Sequence, residues 1–429
     1  MTDTRQQTSD MRQVPHWLLV IAVSLLLGPV DASAAAEPVQ AGVAQETFTL
    51  PRWVPLAGYS RRRGHASSGT HDPVGVRALV LEDADTVAAL VSCDLLIIDE
   101  HLFEAVRRRL LANGFPPETV LVLAATHTHS GPGAYGTRFF EKLSMGHFDR
   151  DVFELIAETI SRTVLRARAA RTPARVATAA AAVEGLVHNR MDPHGLVEHE
   201  LTVTAVFHAA SSTPRAILVG FAAHPTTLGA WNMQLSGDYP GVLVRELEQD
   251  LPGTTALFFA GAVADQAPEK TGEGFASAEH LGGSLARAAE ALVRQAHPQT
   301  PASLHAIQER LPLPPARIRL GSRVTLPGWF GRQFADDDAT LSVLAVGPAV
   351  FVGVPCDVTA AFGRQLTATA RARGLAPMII GFASDYIGYC LPASLYNSGT
   401  YEASLALNGP QAGELVVNRL TGMLNELVP

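Results

Sequence analysis

The chain has 429 residues, 47% of them hydrophobic and 17% charged, with a formal net charge of −8 and a pI near 6.0. That balance gives no electrostatic footing for nucleic acid and no like-charged tail. Three cysteines, Cys93, Cys356 and Cys390, are too few for a disulfide scaffold, and the length is ample for a large buried core.

The first stretch with a defined character is Trp17–Leu27, an apolar run followed by Ala32-Ser33-Ala34. A run of this length before a small-residue triplet predicts an export signal rather than a membrane span. Residues 1–34 are therefore assigned to a signal peptide, and export to a periplasmic or extracellular space is expected. Arg5 and Arg12 are balanced by Asp3 and Asp10, and translation from Met11 instead of Met1 gives a cleaner positive start. Residues 35–429 are read as one domain, because no linker or internal repeat interrupts them.

Within that domain Arg52–Asp72, with Arg61-Arg62-Arg63, reads as a surface loop. Strands are predicted at Val76–Leu81 and Thr86–Ser92, then a helix over Asp99–Ala112 stopped by Asn113-Gly114. An apolar strand, Leu121–Ala125, leads into Thr126-His127-Thr128-His129, and Asp149–Ala169 has a helical stripe of Phe153, Ile156, Ile160 and Val164. Further strands are expected at Arg175–Val183, Glu200–His208, Arg215–Ala223, Thr255–Gly261, Leu304–Leu311, Ala339–Pro355 and Met378–Ala383. Helices are expected at Pro240–Asp250, Ser277–Gln295, Thr359–Arg373 and Gln411–Leu427. This interleaving predicts an α/β fold of large mixed sheets layered with helices.

Chemistry-bearing residues recur just after the apolar strands, where α/β folds gather their ligands. The strand period of two puts His127 and His129 on one face at the end of Leu121–Ala125, before the turn Ser130-Gly131-Pro132-Gly133. Two neutral imidazoles side by side suit a divalent metal, zinc first, and equally fit polar strand-end residues bonded to backbone. His224 follows Leu218–Ala223, and Asp357 follows Phe351–Cys356, where a helix-capping role competes with a ligand role. Asp238 and Asp265 read as turn-stabilising residues. Tyr386, Tyr389, Tyr396 and Tyr401 place four of the seven tyrosines within 16 positions, which packing alone does not account for.

THTHSGPG, His188-Asn189-Arg190, FAAHPTT, SGDYPG and DYIGYCLPASLYNSGTYEAS together resemble the neutral/alkaline non-lysosomal ceramidases, secreted zinc amidases that split the N-acyl bond of ceramide. The likeness runs from about Pro55 to near the last residue and covers the catalytic domain. It implies a zinc ion held by His127, His224, Asp357 and Tyr389. His129 becomes the proton shuttle beside the metal. Arg190 and Tyr401 stabilise the oxyanion or hold a substrate oxygen, a solvent-facing salt bridge being the competing role for Arg190. Metal-activated water is then the nucleophile.

Three departures qualify what the resemblance implies. Pro355-Cys356-Asp357-Val358-Thr359 stands where the family has P-G-E-F-T, so the carboxylate is one methylene shorter. Ala264-Asp265-Gln266-Ala267-Pro268 stands where the family has G-D-V-S-P-N, so Ala267 offers no hydroxyl for an acyl-serine route. Motif order ends the chain before the family's C-terminal β-sandwich. The expected activity is thus amide hydrolysis with a ceramide-like sphingolipid as first substrate and transient membrane-surface contact. The alternatives are an ester or small-molecule hydrolase on the same scaffold and a non-catalytic exported binding protein. Cys356 and Cys390 each adjoin an implied ligand, which leaves either a bridge or two small buried thiols.

Overall fold

A computed structural model describes residues 38–427 except 302, 321–323, 326–330 and 332. The signal-peptide assignment falls on residues 1–34 and lies outside the described residues. Eight strands build the larger sheet: β1 (Gln40–Thr47), β2 (Gly75–Glu82), β3 (Val87–Cys93), β4 (Val120–Ala125), β5 (Thr172–Ala182), β6 (Glu200–His208), β7 (Pro214–Phe221) and β8 (Thr255–Ala260). Their order across the sheet is β8-β7-β6-β5-β1-β2-β3-β4. The two ends, β3–β4 and β7–β8, are parallel, whereas the middle is antiparallel. A smaller sheet runs β9 (Leu304–Pro312), β10 (Asp338–Val346), β11 (Ala349–Gly353), β12 (Ala376–Ile380) in that order, with β11 and β12 parallel.

Strand periodicity divides the core. On β4, Leu121, Leu123 and Ala125 face a cluster shared with Leu102 and Phe103 of helix α1 (Glu100–Ala112) and Ile156, Ile160 and Val164 of α2 (Arg150–Ala169). Leu243 and Leu247 of α3 (Asp238–Asp250) and Leu281 and Leu285 of α4 (Phe275–Gln295) close the same layer. The alternate residues Val120, Val122 and Ala124 face the second sheet, meeting Leu344, Val346, Phe351, Met378 and Ile380. The outer face of that sheet, with Leu341, Val343, Val350 and Val352, is covered by α5 (Ala360–Ala372) and α6 (Ala412–Glu426) through Leu366, Val417 and Leu420. The result is four layers, helix–sheet–sheet–helix, in which each sheet is apolar on both faces.

Phe351 sits between the sheets at 1% exposure. Phe351→Ala is expected to lower unfolding stability by about 3–5 kcal/mol, because the two rigid sheets cannot collapse into the cavity; chemical denaturation measures it.

Several boundaries differ from the sequence reading. Ala339–Pro355 is not one strand but the hairpin β10–β11, which turns at Gly347-Pro348, where Gly347 takes φ 54. The strand expected over Met378–Ala383 begins at Ala376 and stops at Ile380, because Phe382 and Ser384 take left-handed φ values of 54 and 65. Strand β1, rich in small and polar residues, carried no strong apolar pattern and was not anticipated. Among the described residues no helix is long and apolar enough to cross a membrane.

Candidate active site

Five strands from both sheets end in the same region: β4 leads to His127 and His129, β7 to His224, β8 to Asp265, β11 to Asp357, and β12 to Tyr386 and Tyr389. A bridge between Ala124 and Ala383 ties the edge of the larger sheet to the loop after β12. The expectation that a strand's pleat aligns His127 with His129 is not how the structure does it. Strand β4 stops at Ala125, and His127 takes φ 62, a left-handed conformation rare for a residue with a Cβ. The turn, not the pleat, brings the two imidazoles together.

The convergence is tight. His127 Nε2 lies 3.0 Å from His224 Nε2, and His129 Nε2 lies 3.3 Å from the first and 3.1 Å from the second. Two donors 2.0–2.1 Å from a tetrahedral zinc stand ~3.3–3.4 Å apart, so the triangle has the dimensions of one face of a coordination shell. Among the described residues, these three histidines form a group whose ligand atoms lie within 4.8 Å of one another.

The protonation pattern agrees with that use. His127 Nδ1 is 2.6 Å from the Leu96 carbonyl, which only accepts, so Nδ1 carries the proton and Nε2 keeps its lone pair. Burial pushes the His127 imidazole down to about 3 and holds His129 and His224 well below their ordinary range, so all three are neutral. Phe382 stacks on the His127 ring with centroids 3.7 Å apart and planes 7° from parallel. These two residues are both held in left-handed backbone, strain that the surrounding loops must maintain.

Asp357 closes the inner side. Its Oδ1 lies 3.9 Å from His127 Nε2 and 3.9 Å from His224 Nδ1, and it is buried without a hydrogen-bond partner. Its Oδ2 accepts from Tyr386 Oη at 2.8 Å. Burial raises the carboxyl to about 7, against the lowering effect of the Arg190 guanidinium and the Tyr386 hydroxyl. An orphaned buried carboxylate oxygen 3.9 Å from two of these three neutral imidazoles suits a divalent cation. The competing capping role does not apply: Thr359 occupies the N-cap of α5, and the free Ala360 N–H is taken by Asp265 Oδ1 at 2.9 Å.

Arg190 bridges the remaining groups. Its Nη2 donates to Tyr389 Oη at 3.1 Å and its Nε to the Ala264 carbonyl at 2.9 Å, while Glu402 pairs with it at 3.1 Å. It is thus in an ion pair and in the site at once. Burial raises the Tyr389 phenol well above its usual range, with Arg190 opposing. Tyr401 stands at the mouth, 64% exposed, its ring 6.1 Å from that of Tyr389. All seven residues singled out in the sequence therefore lie in one region, and His129 stands closer to the other two histidines than a residue merely beside them.

Other contributors were not singled out. Tyr386 was visible only as part of the tyrosine cluster. Arg62, from a run read as surface loop, is buried at 4% exposure and donates from Nη1 to the carbonyls of Ala57 at 2.7 Å and His129 at 2.6 Å. Gly58 lies against the His129 ring, where a Cβ would come within 2.7 Å. Asp238, in left-handed backbone at φ 56, accepts from Thr227 Oγ1, from Leu228 N at 3.0 Å and from Tyr239 N at 2.7 Å, and so fixes the loop that follows His224. Asp265 likewise ties Asn189 Nδ2 at 3.1 Å to α5. The Cys356–Cys390 disulfide is formed, with Cα atoms 6.0 Å apart, rather than two free thiols; Cys93 is free and buried.

The chain is similar to known proteins. The chain is 28% identical over 249 residues to neutral ceramidase of Pseudomonas aeruginosa, a stretch covering 54% of this chain and 37% of that protein. It is 26% identical over 227 residues to neutral ceramidase of Mycobacterium tuberculosis, covering 47% and 34%. It is 25% identical over 251 residues to that of Drosophila melanogaster, covering 54% and 35%. The matched stretch thus spans little more than a third of each relative's own length. The crystal structure of the Pseudomonas aeruginosa neutral ceramidase superposes with a TM-score of 0.79 at 21% identity, covering 91% of this chain and 75% of that one, which shows a shared fold. Residues 40–280 match the family model described as neutral/alkaline non-lysosomal ceramidase, N-terminal, and that match, over more than half of the chain, makes it a member of the neutral/alkaline non-lysosomal ceramidase family.

Proposed function

We propose that the protein is a zinc-dependent amidase that hydrolyses an N-acyl bond, with a ceramide-like sphingolipid as the first substrate class. The observation that carries this reading is the triangle of Nε2 atoms 3.0–3.3 Å apart with an unpartnered carboxylate oxygen beside it, in a chain of this family.

His127, His224, Asp357 and Tyr389 are the residues we assign to hold the cation. When bound there, zinc supplies a Lewis acid that acidifies a water molecule and polarises an acyl carbonyl. The Leu96 carbonyl keeps the His127 lone pair aimed inward, and Tyr386 fixes one oxygen of Asp357 so that the other faces the imidazoles. His129 is half-buried where its two partners are buried, and Asp357 approaches those partners. It is therefore the imidazole on the open side, and because burial keeps it neutral we assign it to take a proton from the attacking water and pass that proton to the leaving nitrogen as the C–N bond breaks. Arg190, with Tyr401 at the mouth, donates to the developing oxyanion. Exposed aromatics on the site's own loops, Tyr401 and Trp231, offer apolar surface to an acyl chain, and a substrate of this kind would bring the protein transiently to a membrane surface.

The Cys356–Cys390 disulfide supports export to an oxidising compartment. A second reading, hydrolysis of an ester or a small non-lipid amide on the same scaffold, draws on Ala267. It pairs with His188 in a short ladder and has no nucleophilic hydroxyl. Metal analysis of the purified protein, followed by hydrolysis assays on matched N-acyl sphingosines, small acyl amides and esters, decides between them. Preference for the small esters by more than tenfold in kcat/KM would overturn the sphingolipid assignment, and absence of stoichiometric zinc would overturn the mechanism.

A further inference from the structure

Strands β11 and β12 are paired in parallel only as far as Gly353 and Ile380. Beyond those residues the two chains carry Asp357 and Tyr389, which meet again in a ladder of two residues each, with Asp357 opposite Tyr389 and Val358 opposite Cys390. Its backbone bonds are Asp357 N–H to Gly388 at 2.9 Å and Thr359 N–H to Cys390 at 3.3 Å. With Val354 N–H to Ile380 at 2.8 Å, Ala383 N–H to Val354 at 3.1 Å and Ile387 N–H to Pro355 at 3.0 Å, the ladder forms a junction of separate single bonds, each adding little net stability. It must nevertheless hold a buried carboxylate whose Oδ1 has no protein partner, 3.9 Å from two imidazoles. An aspartate is also one methylene shorter than a glutamate, so its backbone has to come closer to present the same oxygen.

The disulfide lies at this ladder. Cys356 immediately precedes Asp357, Cys390 immediately follows Tyr389, and both sulfurs belong to fully buried residues. Sequence separation between the cysteines is 34, with α5 and β12 between them. We propose that Cys356 and Cys390 are positioning residues whose disulfide clamps Asp357 and Tyr389 side by side and thereby sets the carboxylate–phenol edge of the metal site. The bond does not touch substrate or metal. It restricts how far the loop after β11 can withdraw from the loop after β12, so the unpartnered carboxylate stays against the imidazoles before any cation arrives.

The inference rests on the metal reading above, and the test separates the two. Apo full-length protein is titrated with Co²⁺ and Zn²⁺ by competition against a chelating indicator, and the Co²⁺ visible spectrum is recorded. Wild type is compared with Cys356→Ser/Cys390→Ser and with Val164→Ala, a destabilising control in α2, whose side chain packs in the helix layer of the larger sheet. The clamp predicts that the double variant, with unchanged circular dichroism, loses on the order of tenfold to a hundredfold in metal affinity and has an altered Co²⁺ spectrum. The control should keep both. If the serine variant does not accumulate folded, Cys356→Ala/Cys390→Ala and phosphine-reduced wild type take the same measurement. Affinity within twofold of wild type, or an equal loss in the control, overturns the clamp and leaves the metal reading intact. A wild type that binds no stoichiometric metal overturns both.

Discussion

Replacing His127 with alanine is expected to empty the site of metal and lower kcat/KM for amide hydrolysis by at least about 10³-fold, roughly 4 kcal/mol of transition-state stabilisation. His127 Nε2 is a lone pair held in place by the Leu96 carbonyl and the stacked Phe382 ring, and it is the vertex shared by His224, His129 and Asp357. Removing it takes away one donor and the group that defines the spacing of the others. His129→Ala separates two roles. The geometry admits it as a third nitrogen of the triangle, while its position on the open side assigns it the leaving-group proton. We expect His129→Ala to retain near-stoichiometric metal while kcat falls by about 10²–10⁴-fold, the range of general acid–base contributions. Loss of metal in His129→Ala equal to that in His127→Ala would make it a ligand instead and end the proton-transfer assignment. Elemental analysis and steady-state kinetics on the same preparations read both.

How the site assembles was only partly written in the linear sequence. Leu121–Ala125 and Thr255–Ala260 declare themselves as strands because a sheet covered on both faces needs continuous apolar runs, and the sequence has them. The two-residue ladder at Asp357 and Tyr389 has no such signature, since its partners are 32 positions apart and pair through tertiary contacts alone. His127 shows the limit in another way. Periodicity put it beside His129 for the wrong reason, because propensity does not announce that a histidine will adopt φ 62. Arg62 is a similar case: three consecutive arginines look solvated, yet carbonyls of Ala57 and His129 supply the acceptors that let one of them enter the interior. Residue types at strand ends were legible. The turns that aim them, and the backbone carbonyls that fix them, depend on neighbours distant in sequence.

Asp357 shows what such a site demands of the metal-free protein. Its carboxylate is fully buried, one oxygen has no partner, and burial lifts it to about 7, so at pH 8 the fold carries a largely ionised group that it solvates poorly. Asparagine keeps the shape and the Tyr386 hydroxyl's acceptor while removing the charge. Arg190 retains Glu402, Tyr389 and the Ala264 carbonyl as partners. Metal-free Asp357→Asn should therefore be more stable than metal-free wild type at pH 8, by about 1–3 kcal/mol. Saturating zinc should reverse the order, because binding to the native state stabilises it by RT ln(1 + [L]/Kd) and the variant's Kd is weakened. Denaturant melts of both proteins with and without zinc give the four stabilities. A metal-free variant less stable than metal-free wild type would show that the carboxylate is satisfied within the protein, and the reason for placing a cation beside it would be gone.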